Sequence, residues 1–202
     1  DRIDTAFLDR LLSKCTDHLS LLAAPATLDR AYDFGAEAFD SIFDTLRTTM
    51  PCIVLDVPHQ WSGWTKRALI AADDILIVAA PDLANLRNTK NLFDLLKASR
   101  PNDRAPLYCL NQVGIPKRPE IPAAEFAKAI ENHPIATIPF EPQIFGSAAN
   151  NGQMIAEISA TPRTTEMFLQ IAQRLTGHAV TKRTSFLTPI IRRLQGMKAR
   201  RA

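Results

Sequence analysis

Five short, predominantly apolar runs punctuate the chain, and they constrain its fold more than any other feature. They are Leu19–Ala24, Cys52–Val57, Ile75–Ala80, Leu107–Val113 and Ile135–Ile138. Runs of this length that do not alternate with polar residues predict strands covered on both faces, the environment of a parallel sheet. Between them, Ala36–Met50, Gly63–Ala72, Leu83–Arg100 and Ala123–Glu131 carry apolar residues at helical spacing, and a further helix-like pattern opens the chain. The alternation predicts an α/β fold: a mainly parallel, twisted sheet of about five strands with helices on both faces. Its crossovers are expected to be right-handed.

Local signals refine the boundaries. Asp82 follows Pro81 and is positioned to cap the helix over 83–100. Thr161 and Pro162 read as N-cap and first residue of a last core helix, with Met167, Phe168, Ile171, Ala172 and Leu175 as its buried stripe. Gly177 is a natural stop, so the domain is expected to span 1–177 and a tail 178–202. The tail differs in charge from the body. Residues 181–202 hold seven bases and no acid, whereas the rest has seventeen bases against twenty-one acids. Such asymmetry predicts an interaction tail rather than a generally basic protein. Phe186, Ile190, Ile191, Leu194 and Met197 recur there at helical spacing among Arg192, Arg193, Lys198, Arg200 and Arg201. A basic amphipathic helix of this kind suits an anionic membrane surface. Packing on its own domain or on a second copy suits it equally.

At 202 residues, 46% hydrophobic and 22% charged, the chain has the balance of a globular protein with a substantial core. No apolar run approaches the roughly 20 residues of a membrane-spanning helix, and no start resembles a secretory signal. The opening Asp1 suggests a fragment. Cys15, Cys52 and Cys109 are far apart with no CxxC pair, so buried free thiols are expected rather than a disulfide or zinc framework. That fits a cytoplasmic protein.

Ligands of parallel sheets bind at the carboxyl ends of the strands. Asp56, near the end of Cys52–Val57, matches the pattern of a carboxylate that holds Mg²⁺ beside a phosphate chain, although a cap or turn acid would look the same. Asn111 interrupts Leu107–Val113 with a donor and an acceptor, the pair an adenine edge requires. Pro139 and Ala149–Gln153, after the last run, could flank a flat base. Trp61 and Trp64 follow the Asp56 segment at helical spacing, for which core packing is the simpler reading. His59 lacks a serine partner or nucleophile elbow, and no hydrolase triad is expected.

Taken in order, Pro51-Cys52-Ile53-Val54-Leu55-Asp56-Val57-Pro58-His59, Ala80-Pro81-Asp82-Leu83-Ala84-Asn85-Leu86-Arg87-Asn88, Leu110-Asn111-Gln112-Val113-Gly114-Ile115-Pro116-Lys117-Arg118-Pro119, and Ile138-Pro139-Phe140 through Asn150-Asn151-Gly152-Gln153-Met154 resemble blocks of the CpaE/TadZ pilus-assembly family, relatives of MinD and ParA. The similarity spans roughly residues 5–177. It implies a P-loop NTPase-like fold, ATP and Mg²⁺ as cofactors, Asp56 as the catalytic and magnesium-site acid, and Asn111 and Pro139 in the adenine pocket. It also implies a homodimer, partners in the pilus-assembly machinery, and a cytoplasmic location, peripheral on the inner face of the membrane through the tail. The Trp61 neighbourhood would then border a dimer surface. Nothing in the chain matches GxxxxGK[ST], and its seven glycines are dispersed. ATPase activity is therefore expected of an intact protein and not of this chain alone. The alternatives are a non-catalytic ATPase-like scaffold that localises pilus machinery and, weakest, a ParA-like DNA-binding partitioning protein.

Overall fold

The computed structural model describes residues 4–24, 35–158 and 162–177. These divide into two compact units, one formed by the described residues up to 75 with 96–103 and the other by those of 76–95 with 104–177.

The second unit holds the sheet. Strands β3 (Leu76–Ala79), β4 (Leu107–Val113) and β5 (Ala136–Pro139) lie in the order β3-β4-β5, all parallel. The helices belonging with them are the greater part of α4 (Leu83–Ser99), α5 (Ala123–Ile130), α6 (Pro142–Asn151), α7 (Ile155–Ile158) and α8 (Pro162–Thr176). Strand alternation sorts β4's side chains between two layers. Tyr108 and Leu110 join Ala79, Phe93, Phe126 and Ile130 under α4 and α5. Cys109 points the other way, to Ile138 and Ile171, with Phe145 and Leu175 packed alongside from α6 and α8. Both faces of the central strand are therefore covered over Tyr108–Leu110, as its apolar stretch requires. Tyr108 and Phe126 are fully buried and stack with ring centroids 5.6 Å apart. Phe93 meets Tyr108 edge-on at 5.9 Å. The Tyr108 hydroxyl donates to the Asn132 carbonyl at 2.9 Å, which satisfies its one polar atom.

Capping works as expected in α4: Asp82 accepts from Asn85 N at 2.8 Å. Those backbone and side-chain donors of Asn85 hold the Asp82 carboxyl below the usual carboxylate range. Gly177 ends α8 in the left-handed conformation at φ 69, its N–H donating to the Gln173 carbonyl at 2.9 Å. Pro162 opens that helix, and Thr161 lies outside the described residues.

The first unit contains α1 (Thr5–Leu11), a hairpin of β1 (Ser13–Thr16) and β2 (Leu19–Leu21), α2 (Ala36–Arg47) and α3 (Gly63–Ala71). Phe39 of α2 stacks on Trp64 of α3 with centroids 4.4 Å apart. Arg100 is buried in this unit, its guanidinium bound to Asp103 Oδ2 at 2.8 Å and to the carbonyls of Leu69 and Asp73 at 3.3 Å each.

Among the described residues, two of the five expected strands do not join the parallel sheet. The run from Leu19 supplies β2, antiparallel to β1 with every residue exposed. Cys52–Val57 forms no ladder among the described residues, and Val54 is 91% exposed. Apolar composition signals that a segment can be buried, but pairing also needs a neighbouring strand, and none of the described strands pairs with this run. For the same reason the thiols do not share one environment. Cys109 is buried, while Cys15 in the hairpin and Cys52 in the unpaired run are exposed.

Candidate functional site

β4 does not run straight to its carboxyl end. Its register with β5 steps from Leu110↔Thr137 to Val113↔Pro139, three residues against two. One extra residue is thus accommodated at Asn111–Gln112, a β-bulge of the kind that re-aims side chains at the rims of sheets. Gln112 takes the left-handed conformation (φ 57) to do so. Its N–H donates to its neighbour's Asn111 Oδ1 at 2.9 Å. Pro139 ends β5 on the adjacent strand, and the following Phe140 N–H returns to the Val113 carbonyl at 2.8 Å. Asn111 and Pro139 therefore stand at the carboxyl ends of paired neighbours, both half-buried. The bulge is a feature that sequence reasoning missed.

The loop leaving β4 is held by an ion pair that was not anticipated either. Glu120 accepts from Gly114 N at 3.0 Å, from Ile115 N at 3.2 Å and from Arg118 Nη2 at 2.9 Å. Arg118, then the two backbone donors, hold the Glu120 carboxyl below the usual carboxylate range. Arg118 Nη2 also donates to the Gln112 carbonyl. Beyond the loop, Ile121 N–H donates to the Pro81 carbonyl at 2.8 Å, tying its end to the start of α4.

The segment expected to flank a base, Ala149–Gln153, is largely helical. It completes α6, and Gly152 closes the helix at φ 61 while Gln153 N–H returns to the Ala148 carbonyl at 3.0 Å. Glu141, just before α6, receives the hydroxyl of buried Thr164 at 2.6 Å, which joins the end of β5 to the first turn of α8.

Asp56 belongs to the other unit and is exposed within the unpaired run. Mg²⁺ bound with nucleotide uses one or two protein carboxylates and completes its shell with phosphate oxygens and water. A single accessible carboxylate fits that role and no larger one, since no group of three His, Cys, Asp or Glu able to hold a metal occurs among the described residues. Trp64 has the core role of its stack on Phe39, and Trp61 is 54% exposed. The tail residues Phe186, Ile190, Ile191, Arg192, Arg193 and Leu194 lie outside the described residues. No described helix is long and apolar enough to cross a membrane.

The chain matches no protein-family model, and no curated protein matches it. Solved structures do. The fold is similar to that of a ParA family ATPase from Chlorobium tepidum TLS, with TM-score 0.71 and 20% identity over 86% of this chain and 70% of that one. It is also similar to the septum site-determining protein MinD complexed with Mg-ADP from Pyrococcus horikoshii OT3, with TM-score 0.59 and 18% identity over 70% of this chain and 56% of that one. A chain of the MinC:MinD cell division protein complex from Aquifex aeolicus gives TM-score 0.59 and 19% identity over 73% of this chain and 61% of that one. The chain thus has a ParA/MinD-type α/β fold and spans between about half and three quarters of the length of these structures.

Proposed function

We propose that this chain is the adenine-recognising part of a MinD/ParA-like nucleotide-binding protein that assembles or localises Flp/Tad-type pilus machinery. The observation that carries the nucleotide reading is the place of Asn111 and Pro139 at the carboxyl ends of the neighbouring strands β4 and β5, Asn111 in the bulge and Pro139 opposite Val113. An amide can meet both the acceptor and the donor of an adenine edge, and a proline ring beside it offers an apolar surface to the base. ATP with Mg²⁺ is the implied ligand, Asp56 the carboxylate toward the metal, and nucleotide-linked homodimerisation with partner recruitment the activity. A domain reaching residue 177 does this work, and the basic tail from 178 attaches it to anionic membrane from the cytoplasmic side.

This chain alone binds nucleotide weakly, because adenine contacts do not replace the charge-assisted bonds of a phosphate cradle. Titration of ATP and GTP into the chain and into Asn111→Ala tests the reading. A preference for ATP that the substitution abolishes supports it; equal binding of both nucleotides by the parent chain overturns it. Anionic vesicles test the tail. Ile191→Glu and added salt should each release the chain, and a tail whose removal spares vesicle binding but splits dimers would be an oligomerisation element.

A further inference from the structure

We infer that Arg118 and Glu120 are positioning residues that hold Asn111 in register for a purine edge, acting through the left-handed backbone of Gln112. The inference rests on the nucleotide reading above and adds to it the device that sets base selectivity.

The contacts form one chain. Glu120 fixes the guanidinium of Arg118 and, through Gly114 N and Ile115 N, the turn that brings it back to the strand. Arg118 Nη2 grips the Gln112 carbonyl. Gln112 N–H in turn donates to Asn111 Oδ1 at 2.9 Å. That last bond sets which way round the Asn111 amide lies: Oδ1 accepts from the backbone N–H, which leaves Nδ2 as the donor for a ligand. A carbonyl oxygen has a second lone pair, so Oδ1 can still accept from an adenine N6–H while Nδ2 donates to N7. Guanine presents acceptors at both places and loses one of the two bonds.

A clasp is needed because the conformation is not one that glutamine prefers. Gln112 at φ 57, Gly114 at φ 87 and Lys117 at φ 64 put three left-handed residues into six positions, two of them with a Cβ. Such backbone persists only where surrounding contacts over-determine it. Among the described residues Arg118 Nε is buried without a hydrogen-bond partner, and the guanidinium grips this loop through Nη2.

The experiment uses the 202-residue chain, with AMP as probe and GMP as its comparison, so that the phosphate contribution cancels. Binding is followed by amide chemical shifts. The parent should prefer AMP. Arg118→Met should lower the AMP affinity by about tenfold, equivalent to about 1.4 kcal/mol, and leave GMP binding nearly unchanged. Gln112→Gly, which adopts left-handed backbone without cost, should restore the preference when combined with Arg118→Met. A merely structural role for Arg118 would not be repaired in this way. Should Arg118→Met fail to fold, Glu120→Gln carries the test, with the carbon shifts of Gln112 in the free protein reporting whether its backbone leaves the left-handed region. Unchanged selectivity in the variants, or no rescue by Gln112→Gly, overturns the inference while the nucleotide reading stands. A parent chain that shows no AMP preference overturns both.

Discussion

Phe126 offers the sharpest test of the packing that positions the site. Its side chain is fully buried under the sheet, stacked on Tyr108 and grouped with Phe93, Leu110 and Ile130. Phe126→Ala removes a ring from a cluster drawn from two strands and two helices, whose members cannot all move inward. Loss of transfer energy plus the residual cavity amounts to about 3–5 kcal/mol for such a change. The stacked pair with Tyr108 contributes about 0.5–1.5 kcal/mol beyond burial, which favours the upper half of that range. Hydrogen exchange at the Cys109 and Leu110 amides of β4 reads the opening of this unit directly. Their protection should fall by roughly 10²–10³-fold or more, at about tenfold per 1.4 kcal/mol. Val54→Ala, at an exposed position of the other unit, is the control and should change stability by less than about 0.5 kcal/mol. If the Phe126→Ala chain kept β4 protection within tenfold, Phe126 would not be the keystone of this core and the packing argument would fail.

Other expectations follow from single contacts. Asp82→Ala removes the side-chain acceptor at the start of α4 and should cost about 0.5–2 kcal/mol, measured by urea unfolding. Thiol titration of the native protein at pH 8 should count two reactive groups, Cys15 and Cys52. Cys109 should appear only on unfolding, because burial pushes its pKa up to about 11. Since the unfolded thiol ionises near pH 8.5, stability should decline as pH rises from there toward 11. Asp82 and Glu120 shift in the opposite sense. Their folded-state pKa values lie below the unfolded ones, so their contribution is complete above about pH 5 and is lost as pH falls through and below the carboxylate range near 4. Acid titration of the Gly114 and Ile115 amide shifts should follow Glu120, and Glu120→Gln should abolish the transition.

The sheet was legible where composition and pairing agreed. Ile75–Ala80, Leu107–Val113 and Ile135–Ile138 became β3, β4 and β5 because each has a neighbour and a helix layer to bury it. Cys52–Val57 has the same composition and a different fate, since hydropathy records what a segment can bury and says nothing of what stands beside it. α6 has no counterpart among the helical patterns named from the sequence, and Gly146, Asn150 and Asn151 are weak helix formers. The helix forms where Phe145 and Ala148, three positions apart, face the interior. Asn111 and Pro139 stood out by residue type, whereas the bulge and the Arg118–Glu120 pair did not. Those depend on left-handed backbone at Gln112 and Lys117, residues with no intrinsic preference for it.

The bare run from Cys52 to Val57 also bears on how the chain behaves in a crowd. An exposed, β-prone, hydrophobic segment is a template for self-association, in which copies satisfy one another's backbone groups in stacked ladders. Three residues oppose this. Pro51 and Pro58 bracket the run and offer no N–H to a growing ladder, and Asp56 would stack charge on charge in any in-register assembly. The carboxylate proposed to face magnesium would thus also be the gatekeeper of this exposed apolar run. Neutralising it by Asp56→Asn should shorten the lag before thioflavin-positive fibrils form, so a loss of activity in that variant has to be measured on freshly isolated, monodisperse protein.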